Sequence, residues 1–180
     1  MSFRIRPALL LTMLFALFVG FAPSARAEGW IHTGDAVRTK SVGPFTANVY
    51  AIRHDMKERP AQKSKQAVID ADVDKKFSWR MLRDVDSAKI QKALREAFAM
   101  NGYGDAGKIG SFVGAFNKEE IKEGKAVVIT YNAAAKSTTI WVQDQGSATI
   151  AGADFMKVVW SIWFGKIDQP SMGDQLISKL

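Results

Sequence analysis

The order of strand and helix patterns in this 180-residue chain predicts an α+β fold, an antiparallel sheet with helices packed on one of its faces. Stretches rich in β-branched and aromatic residues come in groups separated by short turns, which is typical of antiparallel hairpins. The amphipathic helical patterns are grouped as well. They do not alternate with single strands, as a doubly wound parallel sheet would require.

The first 27 residues have the features of a signal peptide. Arg4 and Arg6 precede an apolar run over residues 8–22, and residues 25–27 supply the small side chains that signal peptidase reads. The run of about 15 residues is shorter than the roughly 20 that span a bilayer as a helix. We therefore expect cleavage after Ala27, with no membrane span left in the protein that remains.

Composition limits the compartment and the partners. Without the three arginines of the signal segment, 22 basic and 18 acidic residues remain, a balance that gives little support to nucleic-acid binding. The chain has no cysteine, which excludes disulfides, thiolate metal sites and cysteine nucleophiles. We expect a periplasmic protein whose residues 28–180 form one domain, because this length suffices to bury roughly 70% of the unfolded surface.

The first half of that domain reads as strands. Residues 30–52 alternate loosely between apolar and polar side chains and break at residues 43–44, which predicts two strands joined by a turn. The charged stretch 53–66 is predicted to be a solvated loop or a ragged edge. A third strand is predicted over residues 77–83, with aromatic side chains on one face and Arg80 on the other.

Two helices are predicted next. Asp86 or Ser87 can cap a segment whose apolar residues recur at i, i+3, i+4, i+7 and i+8 from Ile90 onward. After a glycine-containing turn at residues 101–104, the segment 109–116 repeats the amphipathic pattern over a shorter length.

The remaining segments complete the antiparallel pattern. Residues 125–132 and 137–143 predict a hairpin, and residues 147–151 predict a short strand. A helix follows over residues 154–164 and a last helix over residues 172–180. The strand 137–143 and the helix 154–164 carry an aromatic group, which can be core or the apolar wall of a ligand cleft. Its members are Trp141, Trp160, Trp163 and Phe164.

Residues 102–108 fit two phosphate-binding patterns, G-x-G-x-x-G and G-x-x-x-x-G-K. A helix precedes them where both motifs need a strand, and Ile109 stands where a P-loop needs serine or threonine. The expected structure is a glycine C-cap and a turn between helices. No cofactor is predicted.

No metal site is predicted either. Asp70, Asp72 and Asp74 resemble the start of an EF-hand loop, but Lys75 stands where that loop needs glycine, so a solvated acidic turn is favoured. The two histidines, His32 and His54, lack the spacing of a second metal ligand and are predicted to be surface or strand-end residues.

Three segments carry a resemblance to a known family. Residues 34–40, which contain Arg38, precede the strand-like run 45–52, and together they resemble the opening hairpin of the chalcone isomerase superfamily. Residues 83–89 resemble the start of its long helix and residues 161–165 its Ser-Ile-Ile-Gly helix end. The chain is most similar to the bacterial exported branch, and the resemblance implies the family's open-faced β-sandwich.

The resemblance also implies a site. In the plant enzymes the arginine lies in the ligand cleft and stabilises negative charge on the substrate, and Arg38 matches it. The family threonine falls on Thr46, or on Phe45 if the alignment follows the Val-Tyr pair of the strand. Lys89 matches the helix lysine. Candidates for catalysis are therefore Arg38, Thr46 and Lys89.

The catalytic tyrosine of the plant enzymes is not matched. Val85 or Asp86 falls at its position, depending on the alignment, and neither supplies a phenol. Loss of one preorganised donor costs a factor of roughly 100 to 1000 in rate, which argues against chalcone cyclisation. The residues expected to bind a ligand are Arg38, Thr46, Tyr50, Asp86 and Lys89.

The sequence is compatible with three functions. The first is a non-catalytic periplasmic protein that binds a small apolar acid or fatty-acid-like ligand through Arg38, as the fatty-acid-binding members of the superfamily do. The second is an isomerase, an intramolecular lyase acting on an unknown substrate. The third is an envelope structural or interaction protein with a closed cleft, in which Arg38 forms an internal salt bridge with Asp35, Asp84 or Asp86.

Overall fold

The structure, a computed structural model, describes residues 29–180, so the predicted signal peptide lies outside the described residues. Within them the chain forms eight strands and five helices. The strands are β1 (Ile31–Val42), β2 (Phe45–Met56), β3 (Lys75–Met81), β4 (Val85–Asp86), β5 (Glu120–Ile121), β6 (Ala126–Asn132), β7 (Ser137–Val142) and β8 (Ser147–Ala151). The helices are α1 (Lys65–Asp70), α2 (Ser87–Met100), α3 (Ala106–Val113), α4 (Ala153–Phe164) and α5 (Ser171–Leu176).

Six strands form one open antiparallel sheet in the order β1-β2-β3-β6-β7-β8, and β4 pairs with β5 in a separate two-stranded sheet. Strands β3 and β6 are neighbours although α2 and α3 lie between them in sequence. The predicted α+β fold, an open antiparallel sheet accompanied by helices, is confirmed. No helix of residues 29–180 is long and apolar enough to cross a bilayer.

The core lies between one face of the sheet and α4. Alternate residues of β3, among them Phe77, Trp79 and Met81, are buried. Arg80, which lies between Trp79 and Met81, is exposed. The ring of Phe77 lies 5.1 Å from that of Trp160 and 4.6 Å from that of Trp163. We call the face opposite α4 the open face.

The aromatic group left unresolved by the sequence divides between the two faces. Trp160, Trp163 and Phe164 are buried in the core. Trp141 of β7 pairs with Val128 of β6 on the open face and is 45% exposed.

Most local predictions are confirmed. Asp86 caps α2 by accepting the Ala88 N–H at 2.8 Å. The prediction of a loop over residues 53–66 is wrong at both ends, because β2 continues to Met56 and α1 begins at Lys65. Most of the charged residues that suggested a loop lie in the segment 57–64, which connects the two elements without helix or strand, and α1 buries Val68 and Ile69.

The acidic turn after α1 is occupied by donors of the chain itself. Asp72 accepts the Tyr131 hydroxyl at 2.7 Å, and Asp74 accepts the Ala133 N–H at 2.8 Å. Among the described residues no group of three or more acidic or histidine side chains could hold a metal ion.

A surface position for His54 is wrong, because this residue is fully buried, although it does lie near the end of β2. Its Nε2 accepts the Trp160 Nε1–H at 2.9 Å, so the ring proton lies on Nδ1, which is 2.6 Å from the Thr33 hydroxyl. The Thr33 hydroxyl donates in turn to the Leu176 carbonyl at 2.8 Å. This chain of hydrogen bonds joins the core to β1 and α5.

We expect the stability of the protein to fall below about pH 6.5 because of His54. Burial lowers the pKa of His54 well below 6.5. The unfolded chain therefore takes up a proton at this residue before the folded chain does, and the free energy of unfolding decreases as the pH falls. Urea unfolding of the wild type and of His54→Gln between pH 7.5 and 5 measures this. An equal pH dependence in both proteins would contradict it.

Candidate functional site

Arg38 lies in the edge strand β1, opposite Tyr50 of β2. Its side chain is 17% exposed. The guanidinium binds both carboxylate oxygens of Asp168, with Nη1 2.7 Å from Oδ1 and Nη2 2.9 Å from Oδ2. This two-bond geometry is the one in which arginine recognises carboxylates. Arg38 therefore already holds a carboxylate, one supplied by its own chain.

The segment that carries Asp168, residues 165–170, joins α4 to α5 and lies along the edge of the sheet. The side chain of Gln169 accepts the Thr39 N–H at 3.0 Å and donates to the Val37 carbonyl at 2.9 Å. It thereby satisfies backbone groups of an edge strand, which have no neighbouring strand to pair with. These bonds hold Asp168 next to Arg38.

Three aromatic side chains lie behind this pair. The rings of Tyr50 and Trp79 stack with centroids 4.5 Å apart, and the Trp163 Nε1–H donates to the Tyr50 hydroxyl oxygen at 3.1 Å. Burial raises the pKa of Tyr50, so its hydroxyl keeps its proton. The Trp163 bond uses that oxygen as an acceptor, which leaves the Tyr50 O–H free to donate.

Trp79 contributes a second donor. Its side chain is 3% exposed, and its Nε1–H has no hydrogen-bond partner among the described residues. A buried donor without an acceptor costs about 1–3 kcal/mol. The indole therefore gains stability from any oxygen that reaches it.

The electrostatics favour an anion beside Arg38. The hydrogen bond from Arg38 lowers the pKa of Asp168, and Lys40, 3.7 Å from Asp168, acts in the same direction. Burial is the main influence on the pKa of Tyr50; the charge of Arg38 lowers this pKa across the strand pair, and the charge of Asp168 raises it. Asp168 is 48% exposed. The carboxylate at this position is therefore bound by Arg38 and remains accessible to water.

Two cavities lie near β1. The first, of about 300 Å³, contains the ion pair and is lined by Arg38, Thr39, Lys40, Ser41, Asp168 and Gln169. The second, of about 650 Å³, lies over the open face, where Arg53, Ser78 and Arg80 contribute to its lining. The two cavities share Thr39 and Gln169 as lining residues. The space between the sheet and α4 is filled by the aromatic core.

The structure brings together two of the five predicted site residues, Arg38 and Tyr50. Thr46 is exposed near the turn of the β1–β2 hairpin, where its hydroxyl lies 3.0 Å from that of Ser41. Asp86 caps α2, and Lys89 is exposed in its first turn. Among the described residues, the side chain of Arg38 bonds to Asp168 and Gln169 and not to Thr46, Asp86 or Lys89.

The salt bridge considered for Arg38 exists with a different partner. Asp35 accepts from Lys179 at 2.8 Å, and Asp84 accepts from Lys122 at 3.1 Å. The partner is Asp168, 130 residues from Arg38 in sequence. No sequence pattern links residues so far apart, and Asp168 follows the helix-ending glycine like any loop residue. The sequence likewise gave no sign that Gln169 and Trp79 belong to this site.

The described residues thus form an open antiparallel sheet accompanied by helices, and an arginine of its edge strand lies opposite a tyrosine. The family model described as chalcone isomerase-like matches residues 33–174, and the chain belongs to that family. A solved structure of an Arabidopsis thaliana fatty-acid-binding protein is similar, with a TM-score of 0.67, 12% identity, and coverage of 87% of this chain and 90% of that one. No curated protein matches the chain.

Proposed function

We propose that this protein binds a small apolar acid, of the fatty-acid type, without chemical conversion, and that Arg38 anchors the acid group. One observation carries the proposal: Arg38 already binds a carboxylate with two bonds, next to a tyrosine hydroxyl that is free to donate. The fatty-acid-binding function of the similar Arabidopsis protein supports the same class of ligand. The signal peptide predicted from residues 1–27 would place this binding in the periplasm.

The polar groups suit one carboxylate better than they suit catalysis. Arg38 supplies the charge, Tyr50 supplies a neutral donor, and Trp79 adds an unused N–H behind it. A bound acid requires fixed donors of this kind. Thr46 and Lys89, the other two catalytic candidates, have no described contact with this group. The isomerase hypothesis therefore gains no support from the geometry.

Binding requires an exchange of carboxylates at Arg38. Asp168 occupies the guanidinium in the structure, and it lies in a loop whose carboxylate is half exposed. A ligand acid that takes its place leaves Asp168 in water, where a charged carboxylate is stable at little cost. The apolar body of the ligand then lies in the two adjoining cavities, which share Thr39 and Gln169 as lining residues.

The proposal is tested by extracting any ligand that is bound to the purified protein. The protein, recovered from the cell envelope fraction of a bacterial host, is extracted with organic solvent, and the extract is analysed by mass spectrometry. We expect an acidic lipid in a near-stoichiometric amount, and saturable binding of oleate by the extracted protein. A ligand-free protein that does not bind oleate would refute the proposal. The intact mass of the recovered chain shows whether residues 1–27 are removed.

A second candidate is a structural or interaction protein of the envelope with a closed cleft. The Arg38–Asp168 pair and the filled aromatic core favour it, because both stabilise the closed form without a ligand. It predicts that oleate neither binds nor stabilises the protein against thermal unfolding.

A further inference from the structure

The β1–β2 hairpin extends beyond the rest of the sheet. Pairing of β2 with β3 begins at Tyr50, so the two strands of the hairpin over residues 39–49 pair with each other and with no third strand of the described residues. At about 3.4 Å per residue, Phe45 lies roughly 17 Å beyond Tyr50 along the strand. We call residues 39–49 the arm.

The arm ends in the most exposed large apolar side chain of the described residues, Phe45, which is 78% exposed. Ala47 and Val49 follow it at alternate positions of the same strand and are partly buried. Leu82, whose N–H donates to the Val49 carbonyl at 3.0 Å, is 37% exposed beside them. These four residues form an apolar stripe from the core to the tip.

The arm has one charged residue, Lys40, which also lies 3.7 Å from Asp168. Lys40 pairs across the strands with Ala47, so its side chain lies on the same face as that residue, and it is 65% exposed. No residue from 39 to 49 is acidic. Arg83, next to Leu82, is also exposed. An apolar stripe bordered by cations is the pattern of segments that lie in the interface of an anionic membrane.

We propose that the arm docks the protein on the surface of a bilayer that contains anionic lipid, with Phe45 inserted at the headgroup level. A protein partner would need about 800 Å² of complementary surface, and a two-stranded tip with one large side chain offers much less. A bilayer interface accepts a single aromatic side chain with flanking cations and needs no complementary shape. The proposal does not depend on a ligand, since the arm can bind with the cavities empty.

Docking in this orientation places the ligand site close to the lipid. The cavity at Arg38 is lined by Lys40 and Ser41 of the arm itself. Arg38 lies on β1 about four residues from the turn, roughly 14 Å from the tip. An acidic lipid leaving the bilayer beside Phe45 would therefore reach Arg38 by moving along the arm.

The test is flotation with lipid vesicles. The protein used begins at Glu28, because the apolar segment 8–22 would bind vesicles by itself and all described structure lies in residues 29–180. We expect it to float with phosphatidylglycerol–phosphatidylethanolamine vesicles and not with phosphatidylcholine vesicles. Phe45→Ser should weaken the binding about tenfold, the effect of losing most of one buried phenylalanine. Trp141→Ser changes an exposed aromatic side chain outside the arm, on the open face of the sheet, and this control should bind as the wild type does.

A second measurement keeps Phe45 in place. Because the chain has no cysteine, Thr46→Cys carries a single environment-sensitive dye, whose emission should shift to shorter wavelength with the anionic vesicles only. Failure of the unmodified protein to float, or equal flotation of Phe45→Ser, would overturn the proposal. Light scattering that shows a dimer lost in Phe45→Ser, without vesicle binding, would overturn it as well and assign the tip to a contact between copies.

Discussion

Replacing Arg38 with glutamine is expected to weaken oleate binding by roughly 10- to 100-fold, the equivalent of about 1.5–3 kcal/mol for hydrogen bonds to a charged group. Glutamine keeps a polar side chain of moderate length but loses the charge and one of the two parallel bonds. Isothermal titration of the lipid-free protein measures the change. The oleate affinity of Arg38→Lys should fall between those of the wild type and Arg38→Gln, because lysine keeps the charge without the planar fork.

Two neighbours serve as controls for Arg38. Asp168→Asn removes the internal carboxylate that competes for the guanidinium, so oleate should bind more tightly than to the wild type. Lys40→Gln removes a cation that lies 3.7 Å from Asp168 and is 65% exposed. The oleate affinity of this variant should stay within about twofold of that of the wild type. The pair would be structural instead if Arg38→Gln and Asp168→Asn lowered thermal stability equally and left oleate binding unchanged.

The fold could be predicted because its signals are local. The spacing of apolar residues from Ile90 marked α2, and Asp86 marked its start, since capping involves residues next to each other. The same reasoning failed for α1, because a helix of six residues shows too little periodicity against a charged background. It failed for His54 because only the positions of Thr33 and Trp160 in space explain a buried histidine.

The site was predictable only in part, for a related reason. Arg38 and Tyr50 face each other across one hairpin, so strand register brings them together. Asp168 and Gln169 reach them from the opposite end of the chain, where the packing of α5 on β1 decides the contact. Gly34 illustrates that packing, since a Cβ there would lie 2.1 Å from the Gln175 carbonyl oxygen. The sequence shows the glycine but not the helix that requires it.

Lys75→Met is expected to lower the free energy of unfolding by about 3 kcal/mol, because buried carbonyls that lose their donor cost about 1–3 kcal/mol each. The Lys75 ammonium is fully buried and donates to the carbonyls of Val68 at 2.6 Å, Ile69 at 3.1 Å and Ala71 at 2.8 Å. These carbonyls lie at the end of α1, where no further turn of helix supplies N–H groups. Methionine fills the volume and supplies no donor.

The charge of Lys75 is opposed by burial and favoured by two nearby carboxylates. Burial lowers its pKa to about 7, and Asp72 and Asp70 oppose the shift. Three carbonyl acceptors require three N–H groups, which only the ammonium has. Lys76→Met, one position along β3, is the matched control, since that ammonium lies over the Trp30 ring at the surface and its loss should cost under about 1 kcal/mol. Urea unfolding at pH 7 compares the two variants, and equal losses would show that the carbonyls at the end of α1 find water when Lys75 is absent.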